Sequence, residues 1–220
     1  AKPTSRFPMK GTCLSVYSRV VNSETPLGEV LQGHFQWCTA WEAELKGLFR
    51  GYVAAKQEQQ VLDYDDLLLY WAQMMEEPAL ADEVAARFDH VLDDEYQDTN
   101  RLQARILKAL KPSGRGLTVV GDDAQAIYSF RAAEVRNILD FPQQFDPVAR
   151  VLSLERNYRS TQPILDASNG VTELARERHA KRLWSERAEG ARPQLATVED
   201  ETAQARWVAG QVPAFREGGL

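Results

Sequence analysis

Phe88-Asp89-His90-Val91-Leu92-Asp93-Asp94-Glu95-Tyr96-Gln97-Asp98-Thr99-Asn100 decides how this chain folds. A short apolar run, Val91-Leu92, leads into a dense patch of acid. Thr99 and Asn100 then offer caps for a helix over 101–110. The order strand, acidic loop, helix puts the carboxylates at the C-terminal end of a strand, where open α/β sheets hold ligands. Adjacent Asp94 and Glu95 can do different work there: Asp94 can hold a hydrated Mg²⁺, and Glu95 can orient and deprotonate a water. An isolated Asp-Glu pair is more often a solvated acidic turn; the downstream segments change that weighting.

After the expected helix, with Leu102, Ile106 and Leu110 on one face, Lys111-Pro112-Ser113-Gly114 is a stop and turn. Leu117-Thr118-Val119-Val120 reads as a second short strand, ending in Gly121-Asp122-Asp123-Ala124-Gln125. Strand, helix and strand within about thirty residues make a crossover unit with parallel strands, hence an α/β fold. Loops that follow neighbouring parallel strands open on the same sheet edge, so Asp94 and Glu95 should face one cleft with Asp122 and Gln125. A third strand is expected over 151–154, leading into Glu155-Arg156-Asn157-Tyr158-Arg159-Ser160. Ser160 or Thr161 then caps a helix with Pro163 in its first turn and Ile164, Ala167, Val171 and Leu174 inward. A fourth strand is expected over 194–198, and a last helix from about Glu201 with Ala205, Val208 and Val212 inward. The Pro-containing stretch 141–147 is the best candidate for a domain boundary.

Upstream the chain reads as helical. One amphipathic helix is expected over 13–21, and Phe35, Trp37 and Trp41 read as core. Trp41, Leu45, Leu48, Phe49, Tyr52 and Val53 fall at helical spacing as one buried stripe, with Lys46, Arg50 and Lys56 off it. Asp65 or Asp66 can cap the next helix, whose apolar face is Leu67, Leu68, Trp71, Met74 and Met75. The acids at 63, 65 and 66 could hold a metal, but a helix N-terminus that favours negative charge explains them better. Pro78 ends that helix, and 79–87 is a short Ala-rich helical approach to the central strand.

Composition bounds the function classes. With 44% hydrophobic and 26% charged residues the chain is that of an ordinary globular protein. A net charge of -6 argues against a sequence-blind, histone-like grip on nucleic acid, though a local stacking platform is compatible with it. Cys13 and Cys38 lack metal-ligand spacing and point to a reduced, cytoplasmic protein. No apolar run approaches a membrane span.

Three motifs stand in order. Asp94-Glu95-Tyr96-Gln97-Asp98-Thr99-Asn100 resembles the Walker B motif of UvrD/Rep-like superfamily 1 DNA helicases. Gly121-Asp122-Asp123-Ala124-Gln125-Ala126-Ile127-Tyr128-Ser129-Phe130-Arg131 resembles their motif III, and Leu154-Glu155-Arg156-Asn157-Tyr158-Arg159-Ser160-Thr161 their motif IV. The stretch 63–68 is similar to a segment these enzymes carry just ahead of Walker B. The resemblance implies ATP and Mg²⁺ as ligands, with Asp94 holding the metal through water and Glu95 as base for hydrolysis. It implies that Gln125 senses the γ-phosphate and that Tyr158 stacks on the adenine. Arg159 would act as an arginine finger, and Tyr128 and Phe130 would stack on the bases of single-stranded DNA. The implied activity is 3′-to-5′ translocation on single strands and unwinding at duplex junctions, in the cytosol or nucleoid of a bacterium, with repair or recombination proteins as further partners.

The sequence departs from that pattern at Ala126, where Ser is usual, and at Ala132, where Gly is usual. No Gly-x-x-x-x-Gly-Lys-Ser/Thr phosphate loop occurs in the 220 residues. The expectation is therefore an internal piece of a P-loop NTPase motor of three-layer αβα type, a partial RecA-like parallel sheet behind a helical insertion segment. Residues 1–87 would belong to domain 1B, 88–145 to the second half of motor domain 1A, and 146–220 to the start of motor domain 2A. Such a piece should be inactive alone and could self-associate through exposed sheet edges. Two alternatives stand beside an enzyme: a non-catalytic DNA- or protein-binding module derived from a motor, and the motor part of a recombination helicase-nuclease.

Overall fold

The computed structural model describes residues 6–129 and 132–217. They form two compact units, one running to Leu152 and including Glu177–His179, the other made of Ser153–Arg176 and the residues from Ala180 onward.

The first unit begins with the helices α1 (Lys10–Ser23), α2 (Leu27–His34), α3 (Glu42–Glu58), α4 (Tyr64–Met74) and α5 (Pro78–Ala85). Two apolar clusters hold them. Cys13, Val16, Leu27, Leu31, Cys38 and Leu45 form one, with Phe35, Trp41 and Phe49 against it, while Trp37 is exposed. Both cysteines are free thiols in that core. Ala72, Met75, Leu102, Ile106 and Leu110 form the other, with Leu68 and Leu69 packed on it. Thus α4 buries a face one residue away from the expected one, and Leu67, Trp71 and Met74 stay exposed. Its cap is Asp63, whose carboxylate accepts from Asp66 N at 2.8 Å while Asp66 returns a bond to Asp63 N. Pro78 opens α5 rather than closing α4, a position where its missing N–H costs nothing.

Lys56 reverses its expected place. It is 7% exposed, and its ammonium lies 2.7 Å from both Asp63 Oδ2 and Asp66 Oδ2. It donates to Tyr17 Oη at 3.2 Å and stands over the Tyr52 ring at 4.5 Å. Burial alone would lower the Lys56 pKa, but bonds to Asp63, Asp66 and Tyr17 raise it. Burial likewise pushes Asp63 up, and bonds from Lys56, the Asp66 N–H and Tyr52 outweigh it and hold Asp63 below the usual carboxylate range. The acids at 63 and 66 therefore serve the cap and this ion pair. Among the described residues no group of three or more His, Cys, Asp or Glu is set to hold a metal.

Next come β1 (Val91–Asp93), α6 (Arg101–Leu110) and β2 (Leu117–Val119), the crossover read from the sequence. The strands are parallel, with Val91 opposite Leu117 and Asp93 opposite Val119. Asn100 caps α6: its side chain accepts from Gln103 N at 2.9 Å and its Nδ2 reaches Asn22 of α1, also at 2.9 Å. Leu102, Ile106 and Leu110 are buried as their spacing requires. The unit closes with α7 (Arg136–Asp140), after which Phe141 packs edge-on against Tyr96 at 5.2 Å.

The second unit holds α8 (Gln162–Thr172) and α9 (Glu201–Glu217), and neither expected strand, 151–154 or 194–198, forms among the described residues. Residues 151–154 are exposed and irregular, and among the described residues only a bridge between Arg156 and Trp184 follows. Leu195, in the other expected strand, is 96% exposed. A strand exists by virtue of its hydrogen-bonded neighbour, and these segments find none among the described residues. The inner face of α8 is Leu165 and Asn169, while Ile164, Ala167, Val171 and Leu174 face out. Ala205, Val208 and Val212 on α9 are exposed as well. A periodic stripe shows which face favours burial; it does not supply the surface that buries it. No helix among the described residues is long and apolar enough to cross a membrane.

Candidate functional site

The loops that leave β1 and β2 are joined at their roots. Val120 N donates to Asp93 O at 2.8 Å and Tyr96 N to Val120 O at 2.9 Å, which extends the ladder past both strands. Asp94 and Glu95 then emerge exposed, with Asp94 Oδ1 accepting from Glu95 N at 2.9 Å. Glu95 itself sits in the left-handed region at φ 56 and ψ 38. For a residue with a Cβ that backbone costs about 1–3 kcal/mol and persists only where its surroundings impose it.

Behind this loop the packing is tight. Tyr96 and Gln97 are each 1% exposed. Burial, reinforced by the nearby Asp93 carboxylate, pushes the Tyr96 phenol up to about 12. Asp93 is raised too, first by burial and then by Asp94, and its Oδ1 has no hydrogen-bond partner among the described residues. Gln97 Nε2 donates to Glu95 Oε2 at 2.7 Å, and Gln97 Oε1 accepts from Asp122 N at 2.9 Å. Asp122 Oδ2 in turn accepts from Gln125 Nε2 at 2.9 Å, and its Oδ1 from Ala124 N at 2.9 Å. A chain of hydrogen bonds thus runs from Glu95 to Gln125, across the two loops expected to share one cleft.

Gly121 makes this contact possible. A Cβ on it would lie 2.5 Å from Gln97 Oε1, 2.7 Å from Ile138 Cδ1 and 3.2 Å from Tyr96 N. Gly121→Ala is therefore expected to destabilise the chain by about 2 kcal/mol, read from its denaturant midpoint.

Tyr128 is exposed beyond Gln125; Phe130 lies outside the described residues. Tyr158 and Arg159 belong to the second unit, both exposed. Asn157 shapes their turn, its Oδ1 accepting from Arg159 N at 2.9 Å and Ser160 N at 2.7 Å. The Arg156 guanidinium stands 4.9 Å from the Tyr158 ring centre. Gln97, Gly121 and Asn157 were not legible as site residues. Their roles depend on what they touch, and only Asn157, a turn former two residues before Arg159, carried any local signal.

Comparison with known proteins decides the family. The model of the UvrD/REP helicase N-terminal domain matches residues 14–146, and that of the UvrD-like helicase C-terminal domain matches residues 152–218. The chain belongs to the UvrD/Rep helicase family. It is 34% identical over 180 residues to the ATP-dependent DNA helicase PcrA of Bacillus subtilis, covering 81% of this chain and 24% of that protein. It is 41% identical over 165 residues to the ATP-dependent DNA helicase UvrD1 of Mycobacterium tuberculosis, covering 71% of this chain and 21% of that protein. The chain thus spans about a quarter of the length of the curated relatives it matches. One departure from the family pattern has a geometric side: Ala132, where the family usually carries Gly, has φ 63, a conformation that glycine adopts without strain.

Proposed function

We propose that the chain is part of an ATP-dependent 3′-to-5′ DNA helicase or translocase, with residues 1–87 in domain 1B, 88–145 in RecA-like motor domain 1A and 146–220 in motor domain 2A. The carrying observation is the hydrogen-bond chain from Glu95 through Gln97 and Asp122 to Gln125. It joins a water-activating carboxylate to a neutral amide able to sense phosphate. The names of PcrA and UvrD1, each an ATP-dependent DNA helicase, support the same reading.

The donor set fits a hydrated metal beside a nucleotide. Asp94 and Glu95 are adjacent, exposed carboxylates at a strand end. Asp94 would hold Mg²⁺ through water, and the ion would supply neutralising charge to the phosphates. Glu95 takes the proton of the attacking water. Gln125 would contact the γ-phosphate, and Arg159 is assigned the role of a charge-neutralising arginine. Tyr158 stacks on the adenine, and Tyr128 and Phe130 stack on DNA bases. The segment that senses phosphate continues without interruption into the segment that grips DNA, which couples hydrolysis to movement.

The test is ATP hydrolysis by the complete reading frame that contains this chain, with and without single-stranded DNA. DNA-stimulated turnover is expected. Retained DNA binding with no turnover would instead make it a binding module. The 220 residues alone contain no phosphate loop and are expected to hydrolyse ATP negligibly; a DNA-dependent rate matching the complete protein would refute that.

A further inference from the structure

We infer that Gln97 is a positioning residue for hydrolysis: its buried side-chain amide aims the Glu95 carboxylate and ties it to the backbone of the Asp122–Gln125 loop. This rests on the proposed role of Glu95 as base. Gln97 lies in the acidic motif, yet its side chain points away from solvent and is among the most buried in the chain. Its amide orientation is settled by its partners. Asp122 N can only donate, so it takes Oε1; Nε2 is left to donate to a carboxylate oxygen of Glu95. A hydrophobic residue would fill the same volume, so packing does not explain an amide. An amide is what the position needs if one end must donate to an anion while the other accepts from a main-chain N–H.

Two consequences follow for chemistry. The bond from Nε2 restricts the rotamers of the Glu95 carboxylate, on a backbone already held at φ 56. It also makes the carboxylate respond to the loop carrying Gln125: a shift of Asp122 pulls on Gln97 and through it on Glu95. Gln97 needs no contact with nucleotide to act this way.

The test uses the complete protein, measuring DNA-stimulated ATP turnover against ATP concentration for wild type, Gln97→Glu and Gln97→Leu, with circular dichroism as a check on folding. Gln97→Glu keeps the size and the acceptor for Asp122 N but sets a second carboxylate against Glu95. We expect kcat to fall about 100-fold at neutral pH with KM for ATP unchanged. Gln97→Leu should lower kcat without raising KM. A folded Gln97→Glu protein with wild-type kcat overturns the inference, as does a folded Gln97→Leu protein whose loss lies entirely in KM. If Gln97→Glu does not fold, the Gln97→Leu split decides alone; if neither folds, Gln97 is a structural residue and the inference fails. A wild-type protein without DNA-stimulated turnover is a different failure, that of the role given to Glu95.

Discussion

Glu95→Gln in the complete protein is expected to cut DNA-stimulated ATP turnover by about 10²–10⁴-fold while leaving binding of ATP and single-stranded DNA intact. The substitution is isosteric. The new amide can still accept from Gln97 Nε2 through its oxygen, so the 2.7 Å contact and the loop survive. What disappears is the ability to take a proton. A second variant separates chemistry from backbone strain. Glu95→Gly removes the Cβ that makes φ 56 costly, and the relief of about 1 kcal/mol is offset by the extra entropy of glycine in the unfolded chain. Glu95→Gly should therefore be close to neutral in stability yet as inactive as Glu95→Gln. Turnover near the wild-type rate in Glu95→Gln would remove Glu95 from the mechanism. A folded protein that loses ATP binding would assign Glu95 to nucleotide affinity instead.

Lys56→Met is expected to lower the unfolding free energy of the chain by about 3 kcal/mol, the low end for breaking a buried ion pair, because Asp63 keeps part of its hydration. For a chain of this size that is on the order of 10 °C in Tm. Methionine fills the stem of the lysine, so the loss is electrostatic. Asp66, 4% exposed, would be left facing Asp63 with no cation between them. The pH dependence follows from the two shifts. Asp63 is held below its ordinary value, so its stabilising contribution is fully present above about pH 4 and is lost as pH falls through its folded value. Lys56 is held above its ordinary value, so its contribution is fully present below about pH 10 and is lost as pH rises further. The gap between wild type and Lys56→Met should be widest and flat around neutrality and narrow in acid. Thermal unfolding at a series of pH values checks this; a gap that widens towards acid would show that the ion pair is not its source.

The same lysine shows where sequence periodicity stops. Lys56 lies off the apolar stripe of α3, and a cation off a stripe is normally solvated. Its burial depends on Asp63 and Asp66, which come from the cap of the next helix, and on Tyr17 from α1. The Glu95–Gln97–Asp122 contact is of the same kind: Gln97 and Asp122 are 25 residues apart, and only strand pairing brings them together.

What the chain determined by itself was local. The capping box of Asn100 and Gln103, the buried row Leu102, Ile106 and Leu110, the parallel crossover from β1 to β2 and the spacing of the family motifs are all written within short windows, because caps and helical periods act over one or two turns. Only the tertiary structure decided the rest. It selected Leu165 and Asn169 as the inner face of α8, left 151–154 and 194–198 without strand partners among the described residues, set Glu95 in a left-handed backbone and closed Gly121 onto Gln97. The physical reason is common to all four. Burial, strand pairing and imposed strain belong to a residue together with the surface it meets, and that surface comes from distant parts of the chain.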